Sequence, residues 1–418
     1  MLSNKAFYPL KAILTLFGIA LLASAIAPTS AQAQKFKVLY TFHGANGAFP
    51  EGQLALDGQG NLYGTAAAGG AGNCSSSFDG KCGVAFKLDK TGKQVWMHSF
   101  NGSNGDDPTH GVLLGAGGLY GTTVLGGDTT CYSLGCGTVF KLNQSGNEKL
   151  LYQFSGTPDG WFPSGPLTQD SVGNLYGTTQ VGGSAGGVGT VFKVDKTGQE
   201  TVLYSFTGAS DGCYPFGGVT LDAAGNLYGV ALVGGASYFC NGDGVVYELD
   251  TTGHLTVLHE FGGGDGYGPG AQLIFDSAGN LYGTTENGGS SSVCLDGCGT
   301  VFELSPNGNG SWTETVLYSF CSLENCADGQ LPHARLVQDA SGNLYGTTWF
   351  GGADNDGVVF ELAPNGTETV LHSFTGGRDG LEPDSLILAP NNMLLGVAVG
   401  GGDTSCPGGC GVVFAIAP

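Results

Sequence analysis

The chain has 418 residues, among them 78 glycines, 23 phenylalanines and 16 tyrosines, and only 12% are charged. Fourteen basic against 35 acidic side chains give a formal charge of −21, which excludes a nucleic-acid partner, because a phosphate backbone is held by basic patches and the sequence carries none. Aperiodic glycine at this level would imply disorder, but here glycine falls at fixed offsets between apolar and aromatic residues, the mark of short strands joined by turns.

The first residues read as an export signal. Lys5 and Lys11 supply positive charge, residues 12–27 form an apolar run, and Ala31-Gln32-Ala33 offers small residues for cleavage, so residues 1–33 are expected to be removed and the mature chain to start near Gln34. The apolar run is short for a membrane span and no second one follows. A soluble protein is expected, secreted or periplasmic, with no membrane span in the mature chain.

From there the sequence repeats. The run Asp170-Ser171-Val172-Gly173-Asn174-Leu175-Tyr176-Gly177-Thr178-Thr179 has a Leu-Tyr-Gly core that recurs at Tyr63, Tyr120, Tyr228, Tyr282 and Tyr345 and fades to Leu394-Leu395-Gly396. The spacing is roughly 56 residues, a period of solenoids and propellers. Each period divides into four strand-like pieces, A to D. In the third repeat A is the short apolar piece at 167–170, and Asp170 to Gly173 turns it into B at 174–179. After a glycine-rich loop C runs from Gly189 to Val194, and the Asp195-Lys196-Thr197-Gly198 turn leads to D at 201–206. An extended C–D turn at 305–312 and a loop at 321–326 absorb the longest interval.

Seven C pieces and seven D pieces are present, but out of step. The mature chain opens on a lone D at 38–42 and ends on a C at 411–418. Laying the first beside the last uses every piece once and leaves no open edge; a linear solenoid would need distinct caps, which are missing. The expected architecture is therefore all-β, one seven-bladed β-propeller domain over residues 34–418, with four-stranded antiparallel blades and the N-terminal strand closing the last blade. The run Gly-Asn-Leu-Tyr-Gly-Thr-Thr, then Gly-Gly, then Gly-Thr-Val-Phe-Lys, then Thr-Val-Leu-Tyr-Ser-Phe, nearly unchanged at 174–206 and 280–320, resembles the GloVer (Gloeobacter–Verrucomicrobia type) repeat of exported bacterial proteins. The resemblance implies export and tandem repeats, often with a C-terminal sorting anchor, and no established activity.

Twelve cysteines in an exported chain point to disulfides. Closeness in sequence suggests Cys74 with Cys82, Cys131 with Cys136, Cys294 with Cys298, Cys321 with Cys326 and Cys406 with Cys410, which leaves Cys213 for Cys240. A zinc site at Cys294 and Cys298 is the rival reading, but no histidine set with zinc spacing accompanies them.

Ahead of each A strand stands an Asp or Asn, then Gly, then a proline: Asn46, Asn104, Asp159, Asp211, Asp265, Asp328 and Asp379. These side chains read either as oxygen ligands around a channel mouth or as caps of their own turns, and their sameness favours caps. A site is better sought where the repeats differ. Just after the prolines, on the strand nearest the axis, stand Glu51, Gln53, Thr109, Gln272, His333, Arg335 and Asp384, with His110 displaced by one. Gathered around one opening they would line a polar pocket, or else a solvated channel. The D–A and B–C loops share one face, carry all twelve cysteines, and collect aromatics that include Tyr132, Trp161, Tyr238 and Trp349, suited to sugar stacking or to filling the spaces between blades.

No Gly-x-Ser-x-Gly run sits on a strand-to-helix turn, and no cofactor is called for. The reading is an exported, non-enzymatic propeller that binds an extracellular ligand, a glycan or another protein, on the disulfide-stapled face. Two alternatives stay open. One is a metal-assisted hydrolase or lyase of the lactonase or streptogramin-lyase kind, with a divalent cation on Glu51, His110, His333 and Asp384; the other is a structural surface or matrix protein.

Overall fold

The computed structural model of the protein describes residues 36–74, 80–130, 133–184, 186–235 and 239–418. The export signal assigned to residues 1–33 lies outside this set, as do Tyr132, Tyr238 and Cys131, and with Cys131 its pairing to Cys136. The fold is a seven-bladed β-propeller. Blade 1 pairs Ala48–Leu56, Leu62–Ala68, Val84–Leu88 and Gln94–Ser99 in sequence order, and blade 3 does the same with Trp161–Gln169, Leu175–Val181, Thr190–Val194 and Glu200–Ser205. Blade 7 takes Leu381–Leu388, Leu394–Gly400 and Val412–Ile416 from the end of the chain and its outermost strand, Lys37–Thr41, from the beginning. Val38 pairs with Phe414 and Thr41 with Val412, so the ring closes as the strand count predicts. The described residues contain a single helical turn, the 3-10 turn Glu324–Cys326.

Two aromatic positions per repeat build the seams between blades. The phenylalanine that ends each D strand packs edge-on against the C-strand aromatic of the next blade: Phe42 on Phe86, Phe100 on Phe140, Phe154 on Phe192, Phe206 on Tyr247, Phe261 on Phe302, Phe320 on Phe360 and Phe374 on Phe414, with ring centres 5.0–5.3 Å apart. All but Phe261 of these rings are wholly buried. Burial of each contributes about 1.5–3 kcal/mol, and the edge-to-face geometry adds about 0.5–1.5 kcal/mol. The glycine of Leu-Tyr-Gly serves the same packing. A Cβ on Gly121, Gly177 or Gly346 would stand 2.5–2.7 Å from the tip of the C-strand ring of its own blade, so only hydrogen leaves room for the aromatic.

Strand A begins earlier than the apolar pattern suggests. In blade 3 it starts at Trp161 rather than at Leu167, because a bulge between Ser164 and Thr168 breaks its alternation. In blades 5 and 6 the strand splits in two, Tyr267–Pro269 with Ile274–Phe275 and Gln330–Pro332 with Val337–Gln338. The long C–D turn of blade 5 is a lengthened hairpin, Thr300–Pro306 paired to Trp312–Ser319.

The turn carboxylates and amides ahead of strand A cap their own turns. His43, Asn101, Ser155, Thr207, Gly262, Ser322 and Thr375 each donate their backbone N–H to the Asn or Asp of their blade. Six of these side chains also meet the D-strand residue that packs above them: Asn46 donates to the Tyr40 hydroxyl, and Tyr152, Tyr204, His259, Tyr318 and His372 meet Asp159, Asp211, Asp265, Asp328 and Asp379. The A–B turn is tied in a similar way: Asp170 accepts from the backbone of Val172 and Asn174 and from the side chains of Asn174 and Tyr176. Disulfides join Cys74 to Cys82, Cys213 to Cys240, Cys294 to Cys298, Cys321 to Cys326 and Cys406 to Cys410, and no free cysteine is found among the described residues. None of their helices is long and apolar enough to cross a membrane.

Candidate functional site in the axial cavity

One backbone device delivers all seven inner strands to the axis. The residue before each strand-A proline, namely Phe49, Asp107, Phe162, Tyr214, Gly268, Leu331 or Glu382, has φ between 52° and 70°, a left-handed conformation that costs energy for any side chain but glycine. Its N–H donates to the neighbouring blade, from Phe49 to the Cys410 carbonyl, from Asp107 to Cys82, from Leu331 to Cys298 and from Glu382 to Asp356. The proline then lies on the glycine that opens the neighbour's C strand; a Cβ on Gly411 would stand 2.2 Å from Cδ of Pro50. The residues immediately after the prolines thereby face the axis in every blade but the third, where Ser164 donates to the Pro215 carbonyl instead.

They enclose a cavity of about 300 Å³ whose wall takes residues from the inner strands of all seven blades. Glu51, Gln53, Thr109, His110, Gln272, His333, Arg335 and Asp384 line it, and Trp349 joins them from the end of strand B in blade 6. Trp161 does not. It stands at the start of its own A strand, stacked on Phe162 with ring centres 5.2 Å apart, and packs against the core between blades 2 and 3.

The wall divides by chemistry. On one side His333 is the hub: its Nδ1 lies 2.9 Å from Glu286 Oε1, its Nε2 lies 4.0 Å from Asp384 Oδ1, and its ring stacks on Trp349 at 4.0 Å. Burial works against charge on His333, but the Glu286 hydrogen bond and the nearby Asp384 and Glu286 carboxylates outweigh it and raise its pKa. His110 is in the opposite state. Burial, reinforced by His333, pushes it down to about 4, so it is neutral at pH 7. Between the two imidazoles Phe216 presents its edge, 6.2 Å from each.

On blade 1, Glu51 is held well above the usual carboxylate range by burial first, then by Asp384, Asp107 and Glu382. Asp384 accepts the Gly52 N–H at 2.7 Å, and Ser385 Oγ donates to the Gly52 carbonyl at 2.7 Å, two bonds that lock blade 7 to blade 1 at the cavity wall. Gln272 is partly spent on structure, since its amide donates to the Val219 carbonyl and to Thr168 Oγ1.

Phe216, Glu286 and Glu382 are the residues that sequence reasoning passed over. Phe216 follows Pro215 as Glu51 follows Pro50, and Glu286 sits four residues after Tyr282 as Trp349 sits four after Tyr345. Register alone marks both; selection for polar groups on one strand missed them. As for a divalent cation, the donor atoms of Glu51, His110, His333 and Asp384 do not supply a group of three within 4.8 Å of one another. His259, Asp265 and Glu314 do gather so closely, but Asp265 there accepts the Gly262 N–H as a turn cap.

A profile of the Gloeobacter/Verrucomicrobia repeat matches residues 72–295 and 239–414. The chain belongs to that family. No curated protein matches the sequence significantly. Among solved structures, the extracellular domain of a protein described as a hybrid two-component system from B. thetaiotaomicron superposes with a TM-score of 0.54 at 12% identity, over 92% of this chain and 41% of that one. PorZ, a surface component of the type-IX secretion system of Porphyromonas gingivalis, gives 0.51 at 12% over 91% and 47%. A gluconolactonase of Xanthomonas campestris gives 0.44 at 13% over 92% and 89%. The chain spans less than half of the first two proteins, and at these identities the likeness concerns the fold alone.

Proposed function

We propose that the protein is an exported, non-enzymatic propeller whose axial cavity, at the end of the ring that carries the disulfide-stapled loops, binds a small extracellular ligand, with the end of a glycan chain as the best fit. The observation that carries this reading is the convergence on one cavity of eight side chains chosen because they vary among otherwise uniform repeats, together with Trp349. Uniform positions serve the fold; here the variable ones meet. The volume suits a sugar ring rather than a folded partner, Trp349 and Phe216 supply flat apolar surface, and Glu51, Asp384 and Gln272 supply acceptors for hydroxyl groups.

A glycan array that carries neutral and acidic saccharides tests the reading. The wild-type protein and Trp161→Ala are expected to give the same pattern, whereas Trp349→Ala loses it by tenfold or more. A blank array, or equal loss from both tryptophan variants, overturns the assignment. Hydrolase or lyase chemistry draws on one observation, the presence in a single cavity of a proton-holding acid, Glu51, and a neutral imidazole, His110. Turnover of sugar lactones that disappears in both Glu51→Gln and His110→Ala would establish it in place of simple binding.

A further inference from the structure

Among the cavity residues, Arg335 has no counterpart for its charge. Its guanidinium makes no hydrogen bond and no ion pair with any described residue, and its Nε is cut off from solvent without an acceptor. Burial lowers its pKa. The nearby acids are engaged elsewhere: Glu286 on His333, and Asp384 on the Gly52 N–H. Arg335 as a whole is partly exposed, but a donor of a charged group that is shut in without an acceptor, as its Nε is, is costly, and folded proteins keep one where something else completes it. Its planar donors match a carboxylate in two-point fashion. In the same wall Trp349 Nε1 is a second buried donor without an acceptor. Two unmet donors on blade 6 stand in a cavity that also holds Glu51 of blade 1 and Asp384 of blade 7, which offer acceptors.

We infer that the cavity takes a hydroxylated carboxylic acid of single-sugar size, a uronic acid or the acidic end of a glycan, its carboxylate on Arg335 and its hydroxyls toward Glu51 and Asp384. This rests on the cavity being the binding site. The polarity of the wall sets the ligand's orientation, because a carboxylate turned toward Asp384 would meet a like charge. Glu51 opposes the ligand less than an ordinary carboxylate would, since burial and the carboxylates around it raise its pKa.

Calorimetric titration of the purified protein at pH 7 with glucuronate and galacturonate, beside glucose and galactose, tests the inference. Each acid is expected to bind at least tenfold more tightly than its neutral partner. Arg335→Gln brings that ratio close to one, and Arg335→Lys restores part of it. Neutral sugars that bind as well as the acids, or a preference that survives in Arg335→Gln, overturn the inference and leave the cavity reading standing. Absence of binding by either kind removes both. The wild-type ratio needs no variant, so a poorly folded substitution does not shield the proposal.

Discussion

Asp107 combines two unfavourable states: a left-handed backbone just ahead of Pro108, and a buried acid beside Asp106. Burial first, and the neighbouring charge second, raise its pKa from 3.8 to about 7. In the unfolded chain the group titrates near 3.8, so between pH 4 and 7 the folded protein holds a proton that the unfolded chain has released. Stability must therefore fall as the pH rises through that window. Asp107→Asn removes the charge and keeps a side chain that tolerates positive φ. It is expected to leave stability at pH 3.5 little changed and to raise it by about 1–3 kcal/mol at pH 8. Urea unfolding from pH 3.5 to 8 reads the difference, and parallel profiles for the two proteins would refute the account. The same proton holding extends to Glu51, whose neighbours Asp384 and Glu382 come from the far end of the chain. Ring closure, read from the strand count, already brings Glu51 and Asp384 to one opening, but the burial of Glu51 and the approach of Glu382 are not shown by any local pattern.

At the scale of the strand, repetition makes each copy a control for the others. The C-strand aromatic is phenylalanine in six blades and Tyr247 in blade 4, where its hydroxyl is fully buried and finds no partner. A Cβ on Gly229 would stand 2.4 Å from that oxygen, so the blade has made no room for an acceptor. Tyr247→Phe restores the pattern of the other blades and removes an unsatisfied polar atom. It is expected to stabilise the protein by about 1 kcal/mol, within a range of 0.5–2. Thermal unfolding followed by circular dichroism checks this; a lower midpoint would mean that the hydroxyl has a partner. Strands B, C and D were legible because their alternation is regular and their turns carry Asp, Asn and Gly at fixed places. Strand A was legible only in its second half, since its first half is a glycine and proline run that reads as loop. The left-handed entry and the bulge that make it irregular are also what turn Glu51, His333 and Arg335 toward the axis. The irregularity that hid the first half of the strand is the one that builds the site.

For the whole molecule the decisive contact is the one between its ends. The disulfides among the described residues do not hold the ring shut: each spans a sequence separation of only 4 to 27, within one loop or between neighbouring loops, which limits each to about 2–4 kcal/mol of loop entropy. Closure rests on Lys37–Thr41 paired with Val412–Ile416, on Phe36 stacked against His372 and Phe414, and on Phe42 set against Phe86 of blade 1. Without that strand, Val412–Ile416 becomes an open edge, and Phe86 and Phe414 each lose an aromatic neighbour. The loss is felt on both sides of the seam, since Pro50 and Asp384 lock blade 1 to blade 7 only while the two stay in register. A chain that begins at His43 is therefore expected to lose its sharp unfolding transition and to associate through the bare edge. Addition of a peptide that spans residues 36–42 should restore the monomer by filling the same groove. Light scattering and near-ultraviolet circular dichroism report both effects. A truncated chain that stays monomeric and melts as the full one does would mean that six blades and a partial seventh are stable alone, and that the axial cavity does not depend on closure.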